Sequence, residues 1–377
     1  MRVLHVCAGN LFGGIESMLL ALAHYRFASD LMEQEFACCF SGRISGELSA
    51  AGAAIHILGD VRFSKPVSAL RARSRFRKVL REHKFDCAVF HGPWTYALLA
   101  SSTPMPCVFW AHGIHSGKHW LEVLSRLKRP AFVIANSEFT ASAVPNIFKD
   151  AKRFVVYCPV AQPQPRACRQ EMRSHLGLSG DSVAIFQVSR MEQWKGHSLL
   201  IEALASLRND SNWECFMVGG AQRESEAEYE SRLKQQIADS GLSGRIHLLG
   251  QRCDVPELLA AADIFCQPNL GPEPFGISFI EAMYAGLPVV TTALGAAPEI
   301  FRENCGILVK PNAGDLAAAL AKLIADSETR STLGTNAKIR AAALSDPAQQ
   351  VKKFAEILFW NILNPQYPSK PQRIAAL

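Results

Sequence analysis

The stretch QPNLGPEPFGISFIEAMYAGLPVV, residues 267–290, contains the strongest local pattern in this chain. Apolar runs typical of buried strands end before it and resume at its close, and the segment ISFIEAMY between them is helix-forming. A strand, a loop, a helix and a second strand in this order form one βα unit of a parallel sheet. We place Pro274 in the first turn of the helix, where its missing N–H costs nothing.

Two carboxylates, Glu273 and Glu281, lie on either side of the helix start at 274–276. Gly276 leaves the N–H groups at this helix end uncovered, so they can bind a phosphate. Glu281 lies five residues further on, about 7.5 Å along the helix axis, within reach of a ribose attached to that phosphate. Glu273 precedes the helix, where a carboxylate can accept hydrogen bonds from the hydroxyl groups of a sugar.

The same two carboxylates have other interpretations. As the acid and nucleophile of a hydrolase, their backbones would be separated by roughly 12 Å of helix. Glycosidase carboxyl groups usually lie ~5–9.5 Å apart, so we regard this alternative as the weaker one. Taken alone, the pair is also compatible with a helix that has one acid near its N-terminus and one on its surface.

The alternation of apolar runs with amphipathic segments extends over nearly the whole chain and predicts an α/β fold with parallel sheets. The segment 159–165 contains three prolines and is expected to link two domains. The remainder after residue 312 is predicted to be mostly helical, with an extended tail that contains Pro365, Pro368 and Pro371. We predict strands near 2–7, 35–40, 54–58, 86–90, 106–111, 131–135 and 153–158, and near 183–188, 213–218, 245–249, 263–267, 288–291 and 306–309.

Two cations, Arg190 and Lys195, follow the first strand of the second domain. In open α/β sheets ligands bind beyond the carboxyl ends of the strands, which favours an anion site here over two unrelated surface cations. An arginine fork and a lysine point charge together can neutralise a diphosphate.

Glycines and a histidine mark two strand ends in the first domain. Gly13 and Gly14 follow the first strand and permit close approach of a phosphate or sugar, although the Gly-x-Gly-x-x-Gly fingerprint is not met. His112 follows the fifth strand, where it can contact the sugar or the acceptor, or accept a proton. A structural role for this histidine is an equal alternative. His91, at the end of the fourth strand, is a lesser candidate for the same reason.

Basic residues are concentrated in the first domain. The formal net charge is +6, and the segment Arg62–Lys84 contains nine basic residues and one acid. A helix this basic suits an anionic membrane surface, and a solvated helix face with no partner is the alternative. We expect no nucleic acid partner, because no recognised binding module accompanies the basic segment.

The apolar runs, the N-terminus and the cysteines indicate the cellular compartment of this protein. No apolar run approaches the ~18 residues of a membrane-spanning helix. The N-terminus resembles a buried strand and not a secretory signal, which predicts a cytoplasmic protein. Eleven cysteines include no Cys-x-x-Cys pair, so we expect reduced thiols and no metal site.

The motifs in this order resemble the retaining family 4 glycosyltransferases of the GT-B fold, also described as glycosyl transferases group 1. The resemblance runs through almost the whole chain and is densest from Val183 to Lys322. The matching segments are Gly13-Gly14, Ser189-Arg190 to Lys195-Gly196, Val218-Gly-Gly220, Glu273 to Glu281 with Pro274-Phe275-Gly276, and Gly306 to Val309.

The resemblance implies two Rossmann-like βαβ domains facing across a cleft. Residues 1–160 would bind the acceptor, residues 166–348 would bind a nucleotide-sugar donor, and the C-terminal helix at about 349–377 would pack back on the first domain. By the resemblance, Arg190 and Lys195 would bind the diphosphate, with Gly13 and Gly14 near the phosphates. Glu281 would bind the ribose, and the loop 250–255 would surround the base. The transferred sugar would be bound by Glu273 with Phe275, Gly276 and Ile277, and His112 would lie beside it. Departures at Gln267-Pro-Asn269 and Gly295-Ala-Ala leave the donor identity open.

The implied activity is hexosyl transfer with retention, without a cofactor or an obligatory metal. The catalytic set would be His112, Glu273, Arg190 and Lys195, and the absence of an Asp-x-Asp motif agrees with metal independence. The product would be a cell-surface polysaccharide or a glycolipid such as lipopolysaccharide, made peripherally at the inner face of the cell membrane. Two alternatives remain, a GT-B sugar-nucleotide epimerase and a non-catalytic sugar-nucleotide-binding subunit.

Overall fold

The computed structural model describes residues 1–62, 65–178, 180–209, 212–302 and 304–364. The chain folds into two compact units. Unit 1 comprises residues 1–159 together with the described residues from 346 onward, and unit 2 comprises residues 160–345. The predicted proline-containing tail lies outside the described residues.

Unit 1 is built on a seven-stranded parallel sheet of order β3-β2-β1-β4-β5-β6-β7. Its strands are β1 (Arg2–Cys7), β2 (Glu33–Cys38), β3 (Ala54–Ile57), β4 (Cys87–His91), β5 (Cys107–Ala111), β6 (Phe132–Ala135) and β7 (Arg153–Val155). Its helices are α1 (Gly14–His24), α2 (Arg43–Ala50), α3 (Pro66–Glu82), α4 (Pro93–Leu99), α5 (Trp120–Ser125) and α6 (Glu138–Ala143), with 3-10 turns at Arg26–Ala28, Ala100–Ser102 and Val144–Asn146. Because helices cover both faces, the central strands β4 and β5 are buried along their whole length.

Unit 2 repeats the design with a six-stranded parallel sheet of order β10-β9-β8-β11-β12-β13. Its strands are β8 (Val183–Val188), β9 (Trp213–Val218), β10 (Ile246–Gly250), β11 (Ile264–Gln267), β12 (Val289–Thr292) and β13 (Gly306–Val309). Its helices are α7 (Arg169–His175), α8 (His197–Ser206), α9 (Glu224–Asp239), α10 (Val255–Ala261), α11 (Ile277–Tyr284), α12 (Ala297–Ile300), α13 (Ala313–Ala325) and α14 (Ser327–Ser345), with a 3-10 turn at Gln193–Lys195.

The strand order of each sheet reverses once, between β1 and β4 in unit 1 and between β8 and β11 in unit 2. At such a switch point the loops after two neighbouring strands diverge to opposite faces of the sheet and leave a crevice at the carboxyl ends. In each unit the functional residues should therefore lie in the loops after these two strands.

The chain returns to unit 1 in a last helix, α15 (Pro347–Leu358), which continues as a π-helical turn at Phe359–Leu363. Asp346 caps it by accepting a hydrogen bond from the Gln349 N–H at 2.8 Å. Phe354 is fully buried, with its ring centroid 4.8 Å from that of Trp110 and 5.7 Å from that of His5. This packing places α15 on the sheet of unit 1.

All thirteen predicted strands are present, and the predicted α/β fold with two parallel sheets is confirmed. The second strand begins at Glu33, two residues before the prediction, because Glu33 still pairs with Arg2 of β1. The placement of Pro274 inside the helix was wrong. Gly276, with φ of 90°, is the N-cap of α11, and this left-handed conformation delays the helix until Ile277.

The basic segment of unit 1 forms α3 as predicted, but its cations are not equivalent. Arg73 donates to Ser101 Oγ at 2.6 Å and Arg75 donates to the Leu58 carbonyl at 3.2 Å, so both are used in holding the helix to the unit. Arg71, Arg77, Lys78 and Arg81 remain exposed. None of the helices in the described chain combines the length and apolar character that crossing a membrane requires.

Candidate functional site

Lys195 and Glu273 form a largely buried ion pair at the carboxyl ends of β8 and β11. Lys195 Nζ lies 2.7 Å from Glu273 Oε2, although the two residues are 78 positions apart. Because both side chains are largely buried, removal of one member would leave the other without a compensating partner. The structure therefore brings together two residues that the sequence analysis had placed at the same site separately.

Two side-chain amides complete the surroundings of the Glu273 carboxylate. Asn269 Nδ2 donates to Oε2 at 3.2 Å, and Gln267 Nε2 lies 3.5 Å from the same oxygen. Within the described residues, Lys195 and both amides converge on Oε2, which leaves Oε1 able to accept from a ligand. In the sequence, Gln267 and Asn269 stand out only as departures from the family pattern, and this role was not predicted.

The loop that carries Lys195 approaches the segment after β11 unusually closely. At Gly196, whose φ is 76°, an added Cβ would stand only 1.8 Å from the Pro268 carbonyl oxygen. The Trp194 carbonyl accepts from the Leu270 N–H at 2.7 Å, and the Trp194 ring lies 3.9 Å from Lys195 Nζ. Only a glycine at 196 permits this approach, so Gly196 brings Lys195 to Glu273.

Arg190 lies at the end of β8, but its partners are carboxylates of its own unit. Its guanidinium is hydrogen-bonded to Glu226 and lies 3.2 Å from Glu192. Its Nε atom is buried and has no hydrogen-bond partner among the described residues. Burial disfavours the charge of Glu226, yet the Gln222 N–H and Arg190 outweigh it and lower the pKa of that carboxyl. Glu226 was not anticipated, because it lies 36 residues along the chain.

Glu281 differs from the other acids of the site because none of the described residues provides a countercharge for it. Its side chain is half-buried on α11, and no donor or cation in the described chain bonds its carboxylate. Burial of the carboxyl group in the protein raises its pKa to about 7. A ligand that donates hydrogen bonds to such a carboxylate stabilises its charged form, because the protein supplies no other donor among the described residues.

The start of α11 lies between these carboxylates. Gly276 is the N-cap, and no side chain of the described residues caps the helix there. Phe275 is buried and Ile277 is the first helical residue. A helix start without a side-chain cap offers N–H groups and a positive dipole end to an anion.

The predicted residues of unit 1 lie at the ends of β1 and β5. Gly13 is the N-cap of α1, and its N–H donates to Glu16 Oε2 at 3.0 Å, while Gly14 is the first helical residue. His112 Nε2 lies 2.9 Å from Nδ1 of His91. Burial, with a smaller effect of His115, lowers the pKa of His112 to about 3, so this imidazole is neutral at physiological pH.

The chain matches two family descriptions that together span most of its length. Residues 12–161 match "Glycosyltransferase Family 4" and residues 169–340 match "Glycosyl transferases group 1". The chain belongs to this glycosyltransferase family. The predicted family and the predicted glycosyltransferase activity are thereby confirmed.

Individual relatives agree with this assignment. The enzyme is 28% identical to the lipopolysaccharide core biosynthesis mannosyltransferase LpsB of Rhizobium meliloti, over 84% of this chain and 92% of that protein. It is 27% identical to the GDP-mannose-dependent alpha-(1-6)-phosphatidylinositol monomannoside mannosyltransferase of Mycobacterium tuberculosis, over 69% of this chain and 72% of that one. The crystal structure of Anabaena HepE in complex with UDP and glucose superposes with a TM-score of 0.83 and 25% identity, covering 95% of this chain and 99% of HepE. The GT-B fold predicted for this glycosyltransferase is confirmed by that similarity.

One cluster of potential metal ligands in the glycosyltransferase lies away from these strand ends. The ligating atoms of Glu35, His56 and His83 lie within 4.8 Å of one another. However, the Glu35 carboxylate is already hydrogen-bonded to Arg2 and to His56, the latter at 2.8 Å. Burial opposes the charge of Glu35, but these two bonds outweigh it and lower its pKa. We interpret the cluster as an ion-pair network in which Arg2 supplies the positive charge.

Proposed function

We propose that this glycosyltransferase moves a hexosyl group from a nucleotide-sugar donor to an acceptor hydroxyl, with retention at the anomeric carbon and without a required metal. The observation that carries the proposal is the buried Lys195–Glu273 pair beside the uncapped start of α11. This arrangement presents a cation, a free carboxylate oxygen and helix N–H groups in one crevice. HepE, which binds UDP and glucose in the solved complex, supports a nucleotide-sugar donor.

Each residue of unit 2 has a distinct role in this proposal. Lys195 and Arg190 bind the diphosphate, and the N-terminus of α11 adds its dipole, so positive charge is supplied where negative charge develops as the nucleotide leaves. Arg190 exchanges part of its contact with Glu226 for phosphate oxygens. Glu281 accepts from the ribose hydroxyls, and Glu273 Oε1 accepts from the transferred sugar together with the backbone at 275–277.

The proposal assigns His112, Gly13 and Gly14 of unit 1 to the substrate as well. A neutral imidazole at His112 forms hydrogen bonds with hydroxyl groups of the substrate without adding a charge. Gly13 and Gly14 provide backbone without side-chain bulk at the end of β1. Unit 1 is assigned the acceptor and unit 2 the donor.

The donor and the stereochemistry can be tested directly. We expect one member of a panel of UDP-, GDP- and ADP-sugars to raise the melting temperature by mass action, with EDTA present throughout. NMR of the product should show the anomeric configuration of the donor. Loss of transfer in EDTA that is restored by Mg²⁺ refutes metal independence, and an inverted product refutes retention.

A matched pair of lysine variants tests the site. Lys195→Ala should abolish the donor-induced melting shift and transfer, because the diphosphate loses its buried cation. Lys234→Ala serves as the control, since Lys234 also pairs with a glutamate but is exposed on α9. Unchanged transfer in Lys195→Ala excludes this site.

We also propose a cytoplasmic enzyme that docks on the inner face of the cell membrane and builds a cell-surface glycan or glycolipid. Relatives that make lipopolysaccharide and phosphatidylinositol mannosides support this acceptor class. On the surface of unit 1, α4 packs against both α3 and α5. Most cations of α3 are exposed on this surface. In and just after α5, four apolar side chains are exposed as well: Trp120, Val123, Leu124 and Leu127.

Vesicle binding measures the contributions of the basic side chains of α3 and of the apolar side chains in and after α5 separately. We expect binding to vesicles that contain anionic lipid at low salt, and weaker binding at high salt. Arg77→Glu with Lys78→Glu should reduce this binding, whereas Lys234→Glu on unit 2 should not. Trp120→Ser with Leu127→Ser should weaken the vesicle binding that persists at high salt, because salt does not screen the burial of apolar side chains in the membrane. No binding to anionic vesicles at low salt refutes membrane docking.

A further inference from the structure

Three histidines form a continuous hydrogen-bonded chain across the sheet of unit 1. His5 Nδ1 lies 2.9 Å from His91 Nε2, and His91 Nδ1 lies 2.9 Å from His112 Nε2. The rings stack with interplanar angles of 23° and 21°. His5 and His91 are buried, and neither has a place in the reaction described so far.

The register of the strands produces this chain. His5 of β1 pairs with Val89 of β4, and His91 lies two residues beyond Val89. His91 in turn pairs with Trp110 of β5, and His112 lies two residues beyond Trp110. Because side chains two residues apart share a face of a sheet, the three histidines run diagonally across one face.

All three imidazoles are neutral at physiological pH. Burial lowers the pKa of His5 and of His112 to about 3, and it lowers the pKa of His91 well below its ordinary value. Each ring then carries one proton, and each link needs a donor on one side and an acceptor on the other. Only two arrangements satisfy both links. Either all three protons are on Nδ1, or all three are on Nε2.

Gln34 selects between the two arrangements. The Gln34 amide nitrogen donates to the Leu22 carbonyl at 3.5 Å, which directs the amide oxygen elsewhere. That oxygen and His5 Nε2 are both buried, and neither has a hydrogen-bond partner among the described residues. Burial lowers the pKa of His5, and Gln34 opposes this by raising it, as a nearby acceptor does. A proton on His5 Nε2 is therefore favoured over a lone pair there, and the other two protons follow onto Nε2.

We propose that His5 and His91 are positioning residues that hold His112 in its Nε2–H tautomer, so that Nδ1 of His112 presents a lone pair to a hydroxyl group of the substrate. The proposal rests on the proposed function, in which His112 contacts the sugar or the acceptor. A lone pair accepts from a hydroxyl and repels a phosphate oxygen, so the chain also determines which substrate group can lie there.

The packing around the chain keeps water away from it. Phe36 stacks on His5 at 5.1 Å, and Phe354 of α15 contacts His5 and Trp110. Water would offer each ring alternative donors and acceptors and would release the tautomer from control by its neighbour. The C-terminal helix thus contributes to the proton arrangement through the contacts of Phe354 with His5 and Trp110.

The tautomer can be observed in the intact protein. We expect long-range ¹H–¹⁵N correlation spectra of ¹⁵N-histidine-labelled enzyme to show His112 with a protonated Nε2 and an unprotonated Nδ1 between pH 6 and 8. Assignment uses the signal lost in His112→Ala. A protonated Nδ1 on His112, or rapid averaging of its two nitrogens, overturns the proposal.

Kinetics of two substitutions at residue 91 provide a second test. His91→Leu removes the acceptor for His112 Nε2–H, and kcat should fall about tenfold while KM for the donor stays within about twofold, as expected for one hydrogen bond. His91→Asn places an amide oxygen near the former Nδ1 position and should recover most of kcat. Phe90→Leu, on the same strand, is the control for packing loss and should lower Tm while leaving kcat unchanged.

The outcomes distinguish the two levels of the argument. If His112→Ala transfers sugar at the full rate, the proposed contact of His112 fails. If His112→Ala is impaired but His91→Leu equals the parent enzyme, the proposed function stands and the positioning chain is refuted. If His91→Asn is as impaired as His91→Leu, hydrogen bonding is not what residue 91 contributes, and the proposal is again refuted.

Discussion

Replacement of Glu281 by glutamine should stabilise the protein and weaken donor binding at the same time. In the folded protein burial raises the pKa of this carboxyl from 4.5 to about 7. Below pH 4.5 the group is protonated in both folded and unfolded chains, so the raised pKa has no effect on stability. Between pH 4.5 and 7 the unfolded chain releases the proton first, and stability falls as pH rises. Above pH 7 the loss is complete.

The size of the effect follows from the two pKa values. Moving a pKa from 4.5 to about 7 corresponds to about 3 kcal/mol of unfolding free energy. Because the side chain is half-buried, we expect the neutral glutamine to recover roughly 2 kcal/mol at pH 8 and almost nothing at pH 4.5. At about 2–4 °C per kcal/mol, this gain is visible as a rise in Tm at pH 8 only.

Donor affinity should change in the opposite direction. In the proposed site a ribose diol donates to the ionised carboxylate, so the glutamine variant should bind the donor about 10–100-fold more weakly at pH 8. In the parent enzyme the affinity should decline as pH falls below 7, and binding near pH 7 should release protons, which calorimetry in buffers of different ionisation enthalpy detects.

The assay compares Tm and donor titrations of Glu281→Gln, the parent and Glu202→Gln across pH 4.5 to 8. Glu202 is an exposed carboxylate on α8, and its replacement should stay within about 0.5 kcal/mol of the parent. An equal Tm change at both pH values refutes the burial argument. Unaltered donor affinity in Glu281→Gln refutes the ribose contact and leaves the stability argument intact.

Three further substitutions test the packing that holds the candidate site. Lys195→Ala should lower the unfolding free energy of unit 2 by about 3–5 kcal/mol, because Glu273 is left buried without its cation, and urea unfolding measures this loss. Gly196→Ala should prevent folding of unit 2 or distort the Lys195 loop. Gly244→Ala is the control and should be nearly neutral, because an added Cβ there meets nothing within 4 Å. Circular dichroism and donor binding compare the two variants. Phe354→Ala should cost about 3–5 kcal/mol and expose the histidines of unit 1. Faster exchange of their ring protons in NMR would report this exposure, and unchanged stability would refute the burial of α15.

The strands could be predicted from sequence because parallel strands covered on both faces are continuous apolar runs. β4 and β5 are of this kind, and every residue in them is buried. The start of α11 could not be located in the same way. Proline is favoured in a first helical turn, but the left-handed conformation of Gly276 overrides that preference, and this conformation depends on how the loop meets its neighbours.

In unit 2 the candidate residues were predictable for a local reason, since Arg190, Lys195 and Glu273 all follow strand ends in the chain. The residues that pair with them could not be predicted. Glu226 reaches Arg190 from the first turn of α9, and the sequence contains no signal that would connect the two. Likewise, only the three-dimensional arrangement reveals that Glu273 has a countercharge and that Glu281 has none among the described residues.

The histidine chain shows which information is missing from a sequence even when each element is predicted correctly. His5, His91 and His112 each stand in or just after a predicted strand, and each resembles a single polar residue in an apolar run. Their relation appears only once the strand order β1-β4-β5 and the register are known, because every step from one histidine to the next is two residues along the neighbouring strand. A shift of one residue in either register would turn a ring to the other face and break the chain. For this reason the hydrogen bond between His91 and His112 is determined by strand pairing and not by the residues around His112 in the sequence.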